Sequence, residues 1–185
     1  MKIVAFVGSP RKQGNCAFIT RRLLDLLEKK GHDTVIHFLY EKTVKGCIAC
    51  EACTNQKTEI CIHNDDFNLM AADIIKADAL VFASPIYMGQ ISGPMKTFID
   101  RWYTFADEKF AIRHVQGKRF ITITASGAPA EQFAGVTEYL KYWLGEFFKM
   151  QPAGNIIAGN LSDIGDAEKC PQLLQDIDKV AAGLP

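Results

Sequence analysis

The sequence carries no excess charge of either sign: 21 Lys and Arg balance 21 Asp and Glu, for a formal net charge of +0. A global field that gathers nucleic acid or anionic membrane is thereby excluded, and any anion site must be local. Long hydrophobic runs are missing too. The apolar stretch Ile3–Val7 ends in Gly8-Ser9-Pro10-Arg11-Lys12 with no cleavage-like segment. No stretch approaches the roughly 18 apolar residues of a membrane helix. Repeats and low-complexity segments are absent. The four histidines (His32, His37, His63 and His114) fall in unrelated segments, none at ligand spacing from another. These absences predict a cytoplasmic protein with neither nucleic acid nor membrane as partner. Its thiols should stay reduced unless they hold metal or do redox chemistry.

What is there is an alternation. Apolar β-branched runs at Lys2–Val7, Asp33–Leu39, Ala79–Ala83, Arg119–Thr124 and Gly154–Ala158 are separated by stretches of helical periodicity. The first, third and fourth are nearly continuous apolar runs, as strands covered on both faces require. Asn15 is placed to cap the first helix, which ends at Gly31, and Asp65 or Asp66 the second. Further helices are expected over about Gly93–Trp102, about Ala130–Phe148 and through Leu173–Ala181. The pattern predicts an α/β chain: one three-layer, doubly wound domain over residues 1–185, with a five-stranded parallel sheet.

The first strand runs straight into Gly8-Ser9-Pro10-Arg11-Lys12-Gln13-Gly14-Asn15-Cys16 and then a helix. A phosphate there meets free N–H groups, the positive end of the helix dipole and Arg11. Ser9-Pro10 replaces the glycines of a dinucleotide loop, and the Gly-Lys-Ser/Thr ending of a Walker loop is missing. A small phosphomonoester fits better. The third strand ends in Ser84-Pro85-Ile86-Tyr87-Met88-Gly89, which offers a π-face, a thioether and close backbone approach to a flat heteroaromatic ring. The fourth ends in another small polar turn, Ser126-Gly127.

About 25 residues, Tyr40 to Asp65, interrupt the alternation after the second strand. They hold Cys47, Cys50 and Cys53 as C-x2-C-x2-C, then Cys61. Compact runs of this kind wrap [4Fe–4S] clusters. Four thiols also suit a structural zinc ion, and C-x-x-C beside a βαβ unit suits a redox dithiol or free thiols.

Taken together, Gly8-Ser9-Pro10-Arg11-Lys12-x-Gly14-Asn15, Ser84-Pro85-Ile86-Tyr87, Gly93-Pro94-Met95-Lys96 and Phe98-Ile99-Asp100-Arg101 resemble the NAD(P)H-dependent FMN reductases and the related iron–sulfur flavoproteins, over roughly residues 1–160. The resemblance implies a flavodoxin-like fold. It implies FMN held through its phosphate by Ser9, Arg11, Gln13, Asn15 and Cys16, with Cys16 standing where relatives commonly have Ser or Thr. Pro85, Ile86, Tyr87, Met88 and Gly89 should flank the ribityl chain and ring, with Ser126 and Gly127 from the next loop. The cysteines and the following Asp65-Asp66 resemble the cluster motif of the iron–sulfur flavoproteins, which implies Cys47, Cys50, Cys53 and Cys61 as ligands of a [4Fe–4S] cluster. The implied activity is electron transfer between NAD(P)H, or a carrier such as ferredoxin, and a small-molecule acceptor, in a homodimer or homotetramer. With no cluster the same site implies an NAD(P)H-dependent flavin or quinone reductase. A zinc-stabilised binding module without turnover is the reading outside the enzyme class. Trp102, Tyr103 and Phe105 suit either a subunit interface or the core.

Overall fold

The computed structural model describes residues 1–55 and 58–185. The elements run β1 (Lys2–Val7), α1 (Asn15–Lys29), β2 (Asp33–Phe38), α2 (Asp66–Lys76), β3 (Ala79–Tyr87), β4 (Gln90–Ile91), α3 (Gly93–Asp100), β5 (Arg119–Ala125), α4 (Ala134–Lys141), β6 (Gln151–Ala158) and α5 (Pro171–Gly183). A 3₁₀ segment, Arg101–Phe105, extends α3, and a π-helical stretch, Tyr142–Phe147, extends α4.

Five parallel strands pair in the order β2-β1-β3-β5-β6. This is the flavodoxin-like order, whose direction of winding reverses beside β1 and leaves a crevice at the carboxyl ends of β1 and β3. The sheet has a sixth member. β3 runs on past Ala83 to Tyr87 and turns back at Met88-Gly89, so that β4 pairs antiparallel with its tip. Both turn residues have positive φ, 49° and 75°, the backbone of a tight hairpin turn.

Alternation along β1 builds the two outer layers. Ile3, Ala5 and Val7 pack under α1 and α5 with Leu23, Leu27 and Ile177, while Val4 and Phe6 face α2, α3 and α4 with Phe67, Phe98 and Trp102. Trp102 and Phe105 are fully buried, edge to face at 5.2 Å, which places both in the core. Among the described residues no helix is long and apolar enough to cross a membrane.

Candidate functional site

The loop after β1 is shaped by two glycines. A Cβ on Gly8 would stand 2.5 Å from Ser92 Oγ and 2.9 Å from Met95 Cβ, so the loop lies directly on the start of α3. A Cβ on Gly14 would stand 2.9 Å from Arg11 Cβ. The Arg11 amide donates to Ser9 Oγ at 3.2 Å, and the Gly14 amide to Arg11 O at 3.0 Å.

Gly14, not Asn15, is the N-cap of α1, and no side chain caps this helix. The first helical bond is Phe18 N–H to Gly14 O, so the first-turn amides lack intrahelical partners. The first turn also carries no acidic residue. Asn15 does something else: its amide group donates to Asp163 O at 2.9 Å and Leu161 O at 3.4 Å, and accepts from Ala167 N–H at 3.2 Å. The expected cap is a long-range tie to the segment between β6 and α5.

That tie completes an open cleft of about 470 Å³, solvent included, at the carboxyl edge of the sheet. Ser9, Arg11, Gly14, Asn15 and Cys16 form one wall, Pro85, Ile86 and Tyr87 a second, and Ala125, Ser126 and Gly127 a third. Leu161 and Ile164 close the outer side. Tyr87 is 43% exposed and feels Arg11, Tyr40 and Cys16 as electrostatic neighbours, while partial burial raises its phenol pKa. An uncapped helix start, a guanidinium, a half-exposed phenol ring and apolar walls suit a phosphorylated, flat aromatic ligand.

Cys16 borders the cleft but its thiol is buried and pushed up to about 12 by desolvation, so its sulfur stays neutral and only its backbone is suited to an anion. Gln13 is exposed on the outer side, in a separate depression with Arg21 and Arg22. Met88 and Gly89 form the hairpin tip beyond the cleft lining, with Met88 fully exposed.

The cysteine loop packs against the α3 side of the sheet. Cys47 and Cys50 are exposed, Cys53 is buried, and Cys61 is half-buried against the core. Burial raises the Cys53 pKa; a Thr104 hydrogen bond opposes that shift, and the neighbouring sulfurs of Cys61 and Cys47 add to it. Ala49 and Glu51 take left-handed backbone, at φ 51° and 56°, and Ala49 N–H donates to Cys47 Sγ at 3.4 Å. Amides turned inward by such residues form concavities that suit anionic sulfur sites. Among the described residues no three ligand-type side chains stand together at metal-binding distance. The donor set and its amides fit a thiolate-bound group, in a loop not drawn closed around one.

A family model for NADPH-dependent FMN reductases matches residues 1–161. The chain belongs to that family. The chain is similar to curated iron–sulfur flavoproteins: 32% identical over 117 residues to one from Methanosarcina thermophila, covering 63% of this chain and 60% of the relative. Against one from Archaeoglobus fulgidus it is 29% identical over 178 residues, covering 94% and 77%. A relative from Methanocaldococcus jannaschii is matched over half its length, so the chain spans between half and about three quarters of these proteins. Among solved structures, an NAD(P)H:quinone oxidoreductase from Methanothermobacter marburgensis superposes with a TM-score of 0.76 at 16% identity, covering 100% of this chain and 96% of that one. An FMN-dependent NADH-azoreductase from Bacillus anthracis, in complex with FMN, gives 0.72 at 13%, covering 100% and 99%. These likenesses show the flavodoxin-like fold.

Sequence reasoning missed Leu161 and Ile164. Both follow β6, so they leave the same sheet edge as the recognised loops.

Proposed function

We propose that the chain is an FMN-dependent oxidoreductase that passes electrons from NAD(P)H or a reduced carrier such as ferredoxin to a small-molecule acceptor, with a [4Fe–4S] cluster in its cysteine loop. The observation that carries the flavin assignment is the uncapped, acid-free first turn of α1 opening on a cleft that also holds Ser9, Arg11 and Tyr87. The first-turn amides and Arg11 would hold the phosphate dianion, and Pro85, Ile86, Tyr87, Ser126 and Gly127 would bracket the rest of the nucleotide. Leu161 and Ile164 would shield its outer side from water. Bound FMN supplies hydride and single-electron chemistry, and the protein supplies position and electrostatics. No side chain acts as nucleophile.

Cys47, Cys50, Cys53 and Cys61 would hold the cluster. Their compact spacing, the Ala49 N–H to sulfur bond and the names of the relatives support this. The same reading makes the protein a cytoplasmic single domain working as a homodimer or homotetramer.

Titration of flavin-free protein with FMN, followed by flavin fluorescence, tests the cleft. Saturable uptake is expected, and Arg11→Ala should weaken it by about tenfold to a hundredfold, the worth of one charged hydrogen bond. No uptake by folded wild-type protein would overturn the redox reading. Iron and acid-labile sulfide in anaerobically purified protein test the cluster, and flavin bands without either would leave a cluster-free reductase.

A further inference from the structure

Two arginines meet the cysteine loop from the segment that follows α3, and neither is accounted for by the flavin cleft. The Arg101 side chain is fully buried. Its Nη1 donates to Lys45 O at 2.8 Å and to Asp65 Oδ2 at 2.7 Å, and its Nη2 reaches Asp65 Oδ1 at 3.3 Å. The guanidinium lies 4.7 Å over the Phe67 ring. It therefore grips the backbone where the loop begins and the carboxylate where the loop gives way to α2. Burial opposes its charge, but Asp65 and the Cys61 sulfur favour the charged form and outweigh that penalty. Arg113 serves the middle of the loop: its Nη2 donates to Cys53 O at 2.9 Å and to Thr104 O at 2.7 Å, fixing the carbonyl of the buried cysteine to the frame.

The charges do not balance within this set. Among the described residues the two guanidinium groups touch one carboxylate, Asp65, and the buried Nε of each has no partner. Asp65 balances Arg101, which leaves the partly buried Arg113 without an anionic partner among the described residues. Thiolates in the loop beside Arg113 would supply that counter-charge; neutral thiols or a disulfide would not.

Resting on the thiolate-ligand reading of Cys47, Cys50, Cys53 and Cys61, we propose that Arg101 and Arg113 are its positioning residues. Arg113 fixes Cys53 through its carbonyl. Arg101 clamps both ends of the loop through Lys45 O and the Asp65 carboxylate.

The test uses the full chain, with FMN absorbance per chain as the folding control. In reduced, chelator-treated protein, alkylation of each cysteine is followed by peptide mass spectrometry. Arg113→Gln should raise the rate at Cys53, and Arg101→Gln the rate at Cys61, at least tenfold each, with Cys47 unchanged. Rates at Cys53 and Cys61 equal to wild type in both variants would overturn the proposal. Should Arg101→Gln not fold, the half-exposed Arg113 still decides the matter through Arg113→Gln. If wild-type protein takes up no iron or sulfide, the cluster reading fails and alkylation alone decides the positioning role.

Discussion

The side-chain oxygen of Asn15 accepts the Ala167 amide at 3.2 Å, so a residue at the start of α1 is joined to one that lies 152 positions away, just before α5. With its two donor bonds to Leu161 and Asp163, Asn15 holds the outer wall of the cleft against the loop that follows β1.

Asn15→Ala should therefore act at two places. Losing these bonds should cost about 1–3 kcal/mol of stability. FMN affinity should also fall, because Leu161 and Ile164 are no longer pinned beside the loop. Asn15→Asp should be worse for binding, since a carboxylate would face two carbonyl oxygens and the bound phosphate. Urea unfolding and flavin titration of the two variants check both statements, and wild-type affinity in Asn15→Asp would remove Asn15 from the site.

What the sequence made legible was local. The unbroken burial of Ile3–Val7 follows from its apolar run, and Asp65 caps α2 as its position predicts, accepting the Phe67 amide at 3.1 Å. The misses have long-range causes. β6 begins at Gln151, ahead of the expected Gly154, because Gln151 and Pro152 pair with Arg119 and Phe120 at the edge of the sheet. An edge tolerates Pro152, and a register shift between Phe120 and Ile121 absorbs the irregularity. The single helix expected over Ala130–Phe148 becomes 3₁₀, α and π turns, with the π turn packing Phe147 and Phe148 at 5.0 Å. Asn15 looked like a cap because its partners lie far along the chain. The cysteine loop showed its ligand chemistry in its spacing, but nothing local marked Arg101 and Arg113 as its supports.

Asp65 should dominate the acid stability of the loop. Burial alone would raise its pKa, but the Arg101 hydrogen bonds and the amides of Lys45 and Phe67 outweigh that and hold it below the usual 3.8. A carboxyl with a depressed folded pKa contributes stability above its unfolded pKa, and that contribution disappears as pH falls through the lower, folded value. The wild-type chain should thus resist acid down to below pH 3.8, then lose the loop. Asp65→Ala leaves the Arg101 charge buried and should cost about 3–5 kcal/mol at neutral pH, with a flatter acid limb. Thermal unfolding from pH 7 to pH 2.5 checks this. A variant whose acid limb parallels wild type would show that the pair contributes nothing there.

Cys16 predicts the opposite pH dependence. Desolvation lifts its thiol from 9.0 to about 12 in the folded chain. Between those values the unfolded chain releases the proton while the folded chain keeps it, so the native state binds more protons and stability falls as pH rises. The contribution is complete below pH 9 and is lost progressively above it. Cys16→Ala removes the titrating group, so the stability of the variant relative to wild type should rise from pH 8 to pH 10.5. Over the same range Cys16 in folded, reduced and chelator-treated wild-type protein should resist iodoacetamide while the exposed Cys47 and Cys50 react. Alkylation of Cys16 at the rate of Cys47 in native protein would mean that its thiol opens to solvent at the phosphate loop, and the neutral, buried role assigned to it would be lost.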